Sequence, residues 1–431
     1  MGKSYNTFWI LFILLCPAAN LCPACNATLN PDSSLQIIDI ESNLDNMKIL
    51  NLSQLTNNIQ YIPLETNETS AITWISKCDF SDSLIIMTDM QRCLLFDNKG
   101  KFISNIGRQG RGPGEFQYCL NVVFGNNKNI YIQNLYDLDE YNLEGAFVKK
   151  HKNIFRIPDN KIMRSWLNIN DSLFFGHVPN ATGLIEDKAL IINKNGEIKN
   201  SYKNFVLFDR GWTSNSGFEN HAHVYFFKNT IFYKEFYNDT LFALNDQYHL
   251  IPKYAFTLGT YKEPLSERMK TGDQRAMLKY IYLWDVFQTE KYLFLNCQLG
   301  NHFPAKRLTS KPSIIPGGNP SWINTTKALG IYDKNTKELA FCKPTDTDNP
   351  LFTSGLYNDI DAGPRFFPGQ MVNDSTMMMT IKAKELKDHI ASDDFKNYVP
   401  NHPEKKKQLE IFTNRLTELD NPVLMLVTFK K

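Results

Sequence analysis

The chain has 431 residues, 42% of them hydrophobic, which is enough apolar material for a sizeable core. Its 47 Lys and Arg against 45 Asp and Glu leave a net charge of +2, too weak a field to argue for a nucleic-acid partner. Phe (30) and Tyr (19) far outnumber Trp (6), a balance that favours pleated, half-buried surfaces and a β-rich fold.

In chain order, the first segment is unlike the rest. Lys3 precedes an apolar run at residues 8–16, which is shorter than the ~20 residues that span a bilayer, and Asn20 and Asn26 follow it. Residues 1–25 therefore read as an export signal. Within Cys22-Pro23-Ala24-Cys25, Ala24 suits the position before a lipidated cysteine, but Cys22 stands where Leu is usual. Cys25 is the lipidation candidate; ordinary cleavage near Ala24 to Ala27 is the alternative. Residues 26–57 read as a lead-in and 58–431 as the folded body. The body holds Cys78, Cys93, Cys119, Cys297 and Cys342, an odd number with no C-x-x-C spacing, so scattered buried thiols are expected.

A repeated unit comes next: an apolar strand, a turn and a second strand. It recurs at residues 93–103, 138–148 and 189–198, each with a turn glycine, and more loosely at 241–254 and 329–339. Phe96, Tyr141 and Ile192 hold equivalent places at intervals of 45 and 51 residues, the length of one four-stranded propeller blade. A further strand precedes each hairpin, as at 82–86, 129–132 and 171–175. One such sheet cannot hide both of its faces, so the blades are expected to pack face to face around an axis until a ring closes.

Counting units predicts an all-β, six-bladed β-propeller, with blades centred near 80–115, 125–155, 165–205, 222–260, 285–345 and 370–431. Strands at 376–381 and 422–429 belong to the last blade, and residues 59–64 are expected to complete it and close the ring. Short helical insertions are expected at 264–282 and at 403–419, where Leu409, Phe412 and Leu416 share a face. Residues 306–327, rich in Pro and Gly, read as an irregular loop.

Several stretches carry a resemblance. They are Ile62-Pro63-Leu64-Glu65, the strand ending Ile106-Gly107, the Gly-rich run through Phe116, Asn358-Asp359-Ile360-Asp361-Ala362-Gly363-Pro364, and Asn421-Pro422-Val423. With them the chain resembles the six-bladed, NHL-like propellers exported by Bacteroidetes, many of them lipoproteins. The resemblance implies the fold and export, and it carries no general activity. It also implies a glycine where this chain has Ala362.

Residues 107–116 imitate a phosphate loop but lack its Lys-Ser/Thr end and lead into no helix. They read as the connection between two blades, with Arg108 or Arg111 on an anionic ligand as the alternative. Asp359, Asp361 and Arg365 form a polar loop, read as a self-bonded turn with a binding role as the alternative. His221 and His223 share a strand face, but no third ligand is visible, so no metal is assigned. No catalytic motif and no cofactor fingerprint is present.

The leading expectation is a monomeric, non-catalytic binding or scaffold module of the cell envelope. Its partner is an envelope protein, glycan or peptide, and it meets the membrane only through an N-terminal lipid. The rival is a glycan- or peptide-processing hydrolase or lyase with polar side chains gathered at the mouth of the channel.

Overall fold

The computed structural model describes residues 35–430, apart from 158–160, 210–220, 269–278, 301, 303–326 and 344–353. Cys25 lies outside these residues, as does nearly all of the irregular loop at 306–327.

Alternation along single strands dictates the architecture. In the second strand of blade one, Leu84–Thr88, Ile85 and Met87 pack with Ile62 and Leu424, whereas Ile86 between them packs with Val122 and Ile130. In blade three, Phe174 joins Tyr131 and Trp166 on one side, and its neighbour Phe175 joins Tyr233 and Phe242 on the other. A strand with side chains at period two and apolar residues on both faces needs a sheet on each side. Among the described residues six apolar clusters follow, one at each blade boundary, and the last joins blade six back to blade one through Met378, Leu424, Ile62 and Phe96. The structure is thus a closed six-bladed β-propeller.

Each blade is a meander of four antiparallel strands. The innermost strands are Lys77–Phe80, Asn121–Phe124, Arg164–Asn168, Ala222–Phe227, Tyr282–Gln288 and Gln370–Met371. Blade six takes its outer strand from the other end of the chain: Thr56–Pro63 pairs antiparallel with Val423–Phe429, Ile62 opposite Leu424. The lead-in also joins sheets, Gln36–Asp39 running parallel to the outer strand of blade four and Met47–Lys48 to that of blade five. Both cover strand edges that would otherwise be open.

Because the strands alternate in direction, the first and third turns of each blade gather at one end of the ring. The second turns, which in blade six hold the inserted helices, gather at the other end with the connections between blades. The expected helix at 403–419 is present as Pro403–Asn414, its Leu409 buried and Phe412 and Leu416 packed beside it. Ala383–Ala391 and Asp393–Asn397 are further helices not anticipated from the sequence. Of the segment at 264–282, Leu265–Arg268 is helical and residues 269–278 lie outside the described residues, while its end is corrected: Tyr282 already begins the inner strand of blade five, placed there by burial of Ile281 and Leu283 against blade four. All five body cysteines are buried free thiols. No helix among the described residues is long and apolar enough to cross a membrane.

Candidate functional site

The innermost strands surround a cavity of about 900 Å³ on the ring axis. Lys77 and Asp79 of blade one, Asn121 of blade two, Ser165 of blade three and His223 of blade four contribute to its wall. Such a surface is possible because the inner edge of a blade has no further strand to pair with. Lys77 is open to water in this lumen yet enclosed by protein, and that enclosure lowers its amine pKa, against the pull of the Asp285 carboxylate. Burial also pushes Asp79 up to about 6, although its carboxylate accepts hydrogen bonds from the N–H of Phe124 at 2.8 Å and of Phe80 at 2.9 Å.

The start of the inner strand of blade four is the wall between this lumen and a second pocket. His223 borders the axial cavity, while His221 borders a pocket of about 190 Å³ between blades three and four, at the end with the longer connections. His221 Nε2 donates to Asp285 Oδ1 of blade five at 2.8 Å. Burial works to raise the Asp285 carboxyl, but this hydrogen bond and the charges of His223, His221 and Lys77 hold it well below the ordinary carboxylate range. Burial meanwhile takes His223 down to about 4, and its Nδ1 is shut from water with no hydrogen-bond partner among the described residues. The result is one imidazole oriented by a carboxylate and one held neutral, two residues apart. Among the described residues no group of three His, Cys, Asp or Glu side chains is placed to hold a metal ion.

Of the residues singled out from the sequence, His221 and His223 are in these walls, whereas Arg108, Arg111, Asp359, Asp361 and Arg365 are not. Residues 107–116 do form part of the connection from blade one to blade two, with Gly107 at φ +62° and Gly114 at φ +73°. Arg108 pairs with Glu115 in that loop, and Arg111 is exposed there. Asp359 accepts from Ser53 N–H, Ser53 Oγ and Asn401 Nδ2. Asp361 accepts from Asn358 Nδ2, Gly363 N–H and the Tyr61 hydroxyl. Both carboxylates therefore fasten the chain's early residues to blade six. The Arg365 Nη1 donates to Lys343 O at 3.0 Å, with the guanidinium over the Tyr357 ring.

A family model described as a domain of unknown function, DUF4934, matches residues 35–428. The chain belongs to the DUF4934 family. No curated protein matches it. Among solved structures this DUF4934 chain is similar to a Bacteroides fragilis protein described as exported, at 16% identity and a TM-score of 0.65, covering 92% of this chain and 100% of that one. It is also similar to a DUF4221-family member from Bacteroides vulgatus at 12% identity and a TM-score of 0.47, covering 87% and 97%. At such identities the likeness is one of fold. Of the walls of this DUF4934 propeller, the histidine pair was the one signal legible beforehand; Lys77 and Asp285 carry no local motif.

Proposed function

We propose that the protein is an exported binding module of the cell envelope whose ligand site is the polar wall formed where the inner strand of blade four begins. A single observation supports this most: His221 and His223, at the start of one strand, border two different cavities, with Asp285 and Lys77 brought to the same place from blades five and one. A closed propeller could fill its axis with apolar side chains; here charged and polar side chains line an open lumen, where they can pair with a ligand's polar groups. The partner is a glycan, peptide or envelope protein, and Cys25 is the residue that would carry a lipid.

Panels of glycans and peptides, applied to the wild type and to a Lys77→Ala/His223→Ala double variant, test this. The expected result is at least one ligand retained by the wild type and lost by the variant; if every retained ligand were held equally by both, the lumen side of the wall would be ruled out as a binding surface. Intact-mass measurement of the mature protein tests Cys25, acyl chains being the expected addition.

One feature also supports the hydrolase or lyase reading: an imidazole oriented by a carboxylate at a pocket wall is the arrangement a general base requires. Conversion of a bound glycan or peptide to product, abolished in His221→Ala while binding persists, would establish it.

A further inference from the structure

Two side-chain amides in the pocket between blades three and four are fixed by one residue. Ile185 N–H donates to Asn180 Oδ1 at 2.9 Å, and Asn204 Nδ2 donates to Ile185 O at 2.6 Å. The backbone donor and acceptor settle which way each amide points. What is left over is the NH₂ group of Asn180 and the carbonyl oxygen of Asn204, neither with a hydrogen-bond partner among the described residues, both on groups that line the pocket. Asn180 is only 9% exposed, so its amide is held in place by packing as well.

Beside them stands Phe205, 75% exposed although it is a large apolar side chain. Its ring is not loose. The Lys188 ammonium sits 3.8 Å from its centroid and 4.1 Å from that of Phe242. That ammonium is buried and makes no hydrogen bond among the described residues, the nearest carboxylate oxygen being Glu235 Oε1 at 4.0 Å. A cation over one face of a ring is held by the ring's quadrupole, which pins the phenyl and leaves most of its surface to solvent.

From this arrangement we infer that the pocket binds a single sugar ring, its C–H face laid on Phe205 and two of its hydroxyls read by Asn180 and Asn204. The inference rests on the binding-module reading and names its ligand class. A sugar hydroxyl is donor and acceptor at once, so the hydroxyls of one ring can satisfy a free amide NH₂ and a free carbonyl that line one pocket. The C–H bonds of a sugar face, polarised by its oxygens, are attracted to the negative face of an aromatic ring. The volume of about 190 Å³ is below the roughly 300–1,000 Å³ of sites for drug-sized ligands and suits one ring rather than a chain.

Saturation-transfer NMR on the full mature protein, with free glucose, galactose, mannose and N-acetylglucosamine as probes at about 10 mM, tests the inference, since single-ring ligands bind in the millimolar range. Transfer to the ring C–H protons of at least one sugar is expected, weakened about tenfold in Phe205→Ala and restored in Phe205→Trp. Because the ring also covers the buried Lys188 ammonium, circular dichroism of Phe205→Ala checks that the fold is kept. Absence of transfer from every sugar, or transfer unchanged in Phe205→Ala, would overturn the inference. Sugar binding that survives Phe205→Ala but is lost in Lys77→Ala/His223→Ala would overturn it too while leaving the binding module standing.

Discussion

His221 of blade four donates a hydrogen bond to Asp285 of blade five across the boundary between their inner strands, at 2.8 Å. The contact ties the lumen wall to the pocket wall and leaves the carboxylate charged inside the protein. Replacing Asp285 by Ala strands the imidazole N–H and removes the counter-charge to Lys77. A loss of about 2 kcal/mol in folding stability is expected, read as a lower urea midpoint at unchanged slope.

Two lumen residues titrate with opposite consequences for stability. His223 falls from 6.5 unfolded to about 4 folded, so between those values the unfolded chain binds more protons and stability is lost as pH falls. Asp79 rises from 3.8 to about 6, so over much of the same window the folded chain binds more protons and stability gains as pH falls. The two contributions largely cancel in the wild type. In Asp79→Asn only the histidine effect remains, and stability to urea is expected to fall by about 2 kcal/mol between pH 7 and pH 4.5 relative to the wild type. A variant whose pH profile parallels that of the wild type would contradict this.

Asn421 holds the ring's seam. Its Oδ1 accepts from Ile72 N–H at 2.7 Å, and its Nδ2 donates to Glu65 O at 2.8 Å and Ser70 O at 2.9 Å, in a site 1% exposed. Asn421→Ala leaves Ile72 N–H and Ser70 O without partners, Glu65 O keeping the Ser70 hydroxyl at 2.7 Å, and a cost of about 2–3 kcal/mol is expected in chemical denaturation. Asn421→Asp keeps the acceptor but not the donor and should lose stability as well.

Ala362 sits at φ +62°, in the left-handed region that suits glycine. Relief of that strain, about 1–2 kcal/mol for an L residue, exceeds the extra unfolded-state entropy of glycine, about 0.5–1 kcal/mol. Ala362→Gly is therefore expected to raise stability by about 0.5–1 kcal/mol, seen as a small increase in Tm by calorimetry.

The early motif Ile62-Pro63-Leu64-Glu65 shows how much of the fold was legible locally. Ile62 and Leu64 alternate into the interface of blades six and one, and Glu65 caps the outer strand of blade one by accepting from Phe102 N–H at 2.8 Å. The turn glycines of the hairpins were equally readable, Gly100, Gly145 and Gly196 all having positive φ. The polar loop at Asp359 and Asp361 was read as a turn bonded to itself; Asp361 does accept from Gly363 N–H within the loop, but Ser53, Tyr61 and Asn401 reach the two carboxylates from distant parts of the chain.

Strand period and turn chemistry act over a few residues, and from them the sequence by itself determined the blades, their number and the need for a closed ring. Distance from the axis is a different kind of quantity, set only when six separate sheets pack against one another. Tertiary structure alone decided that Lys77, His223 and Asp285 would share a wall, that Arg108 would pair with Glu115 in a loop between blades, and that one backbone residue, Ile185, would hold Asn180 and Asn204 at the pocket.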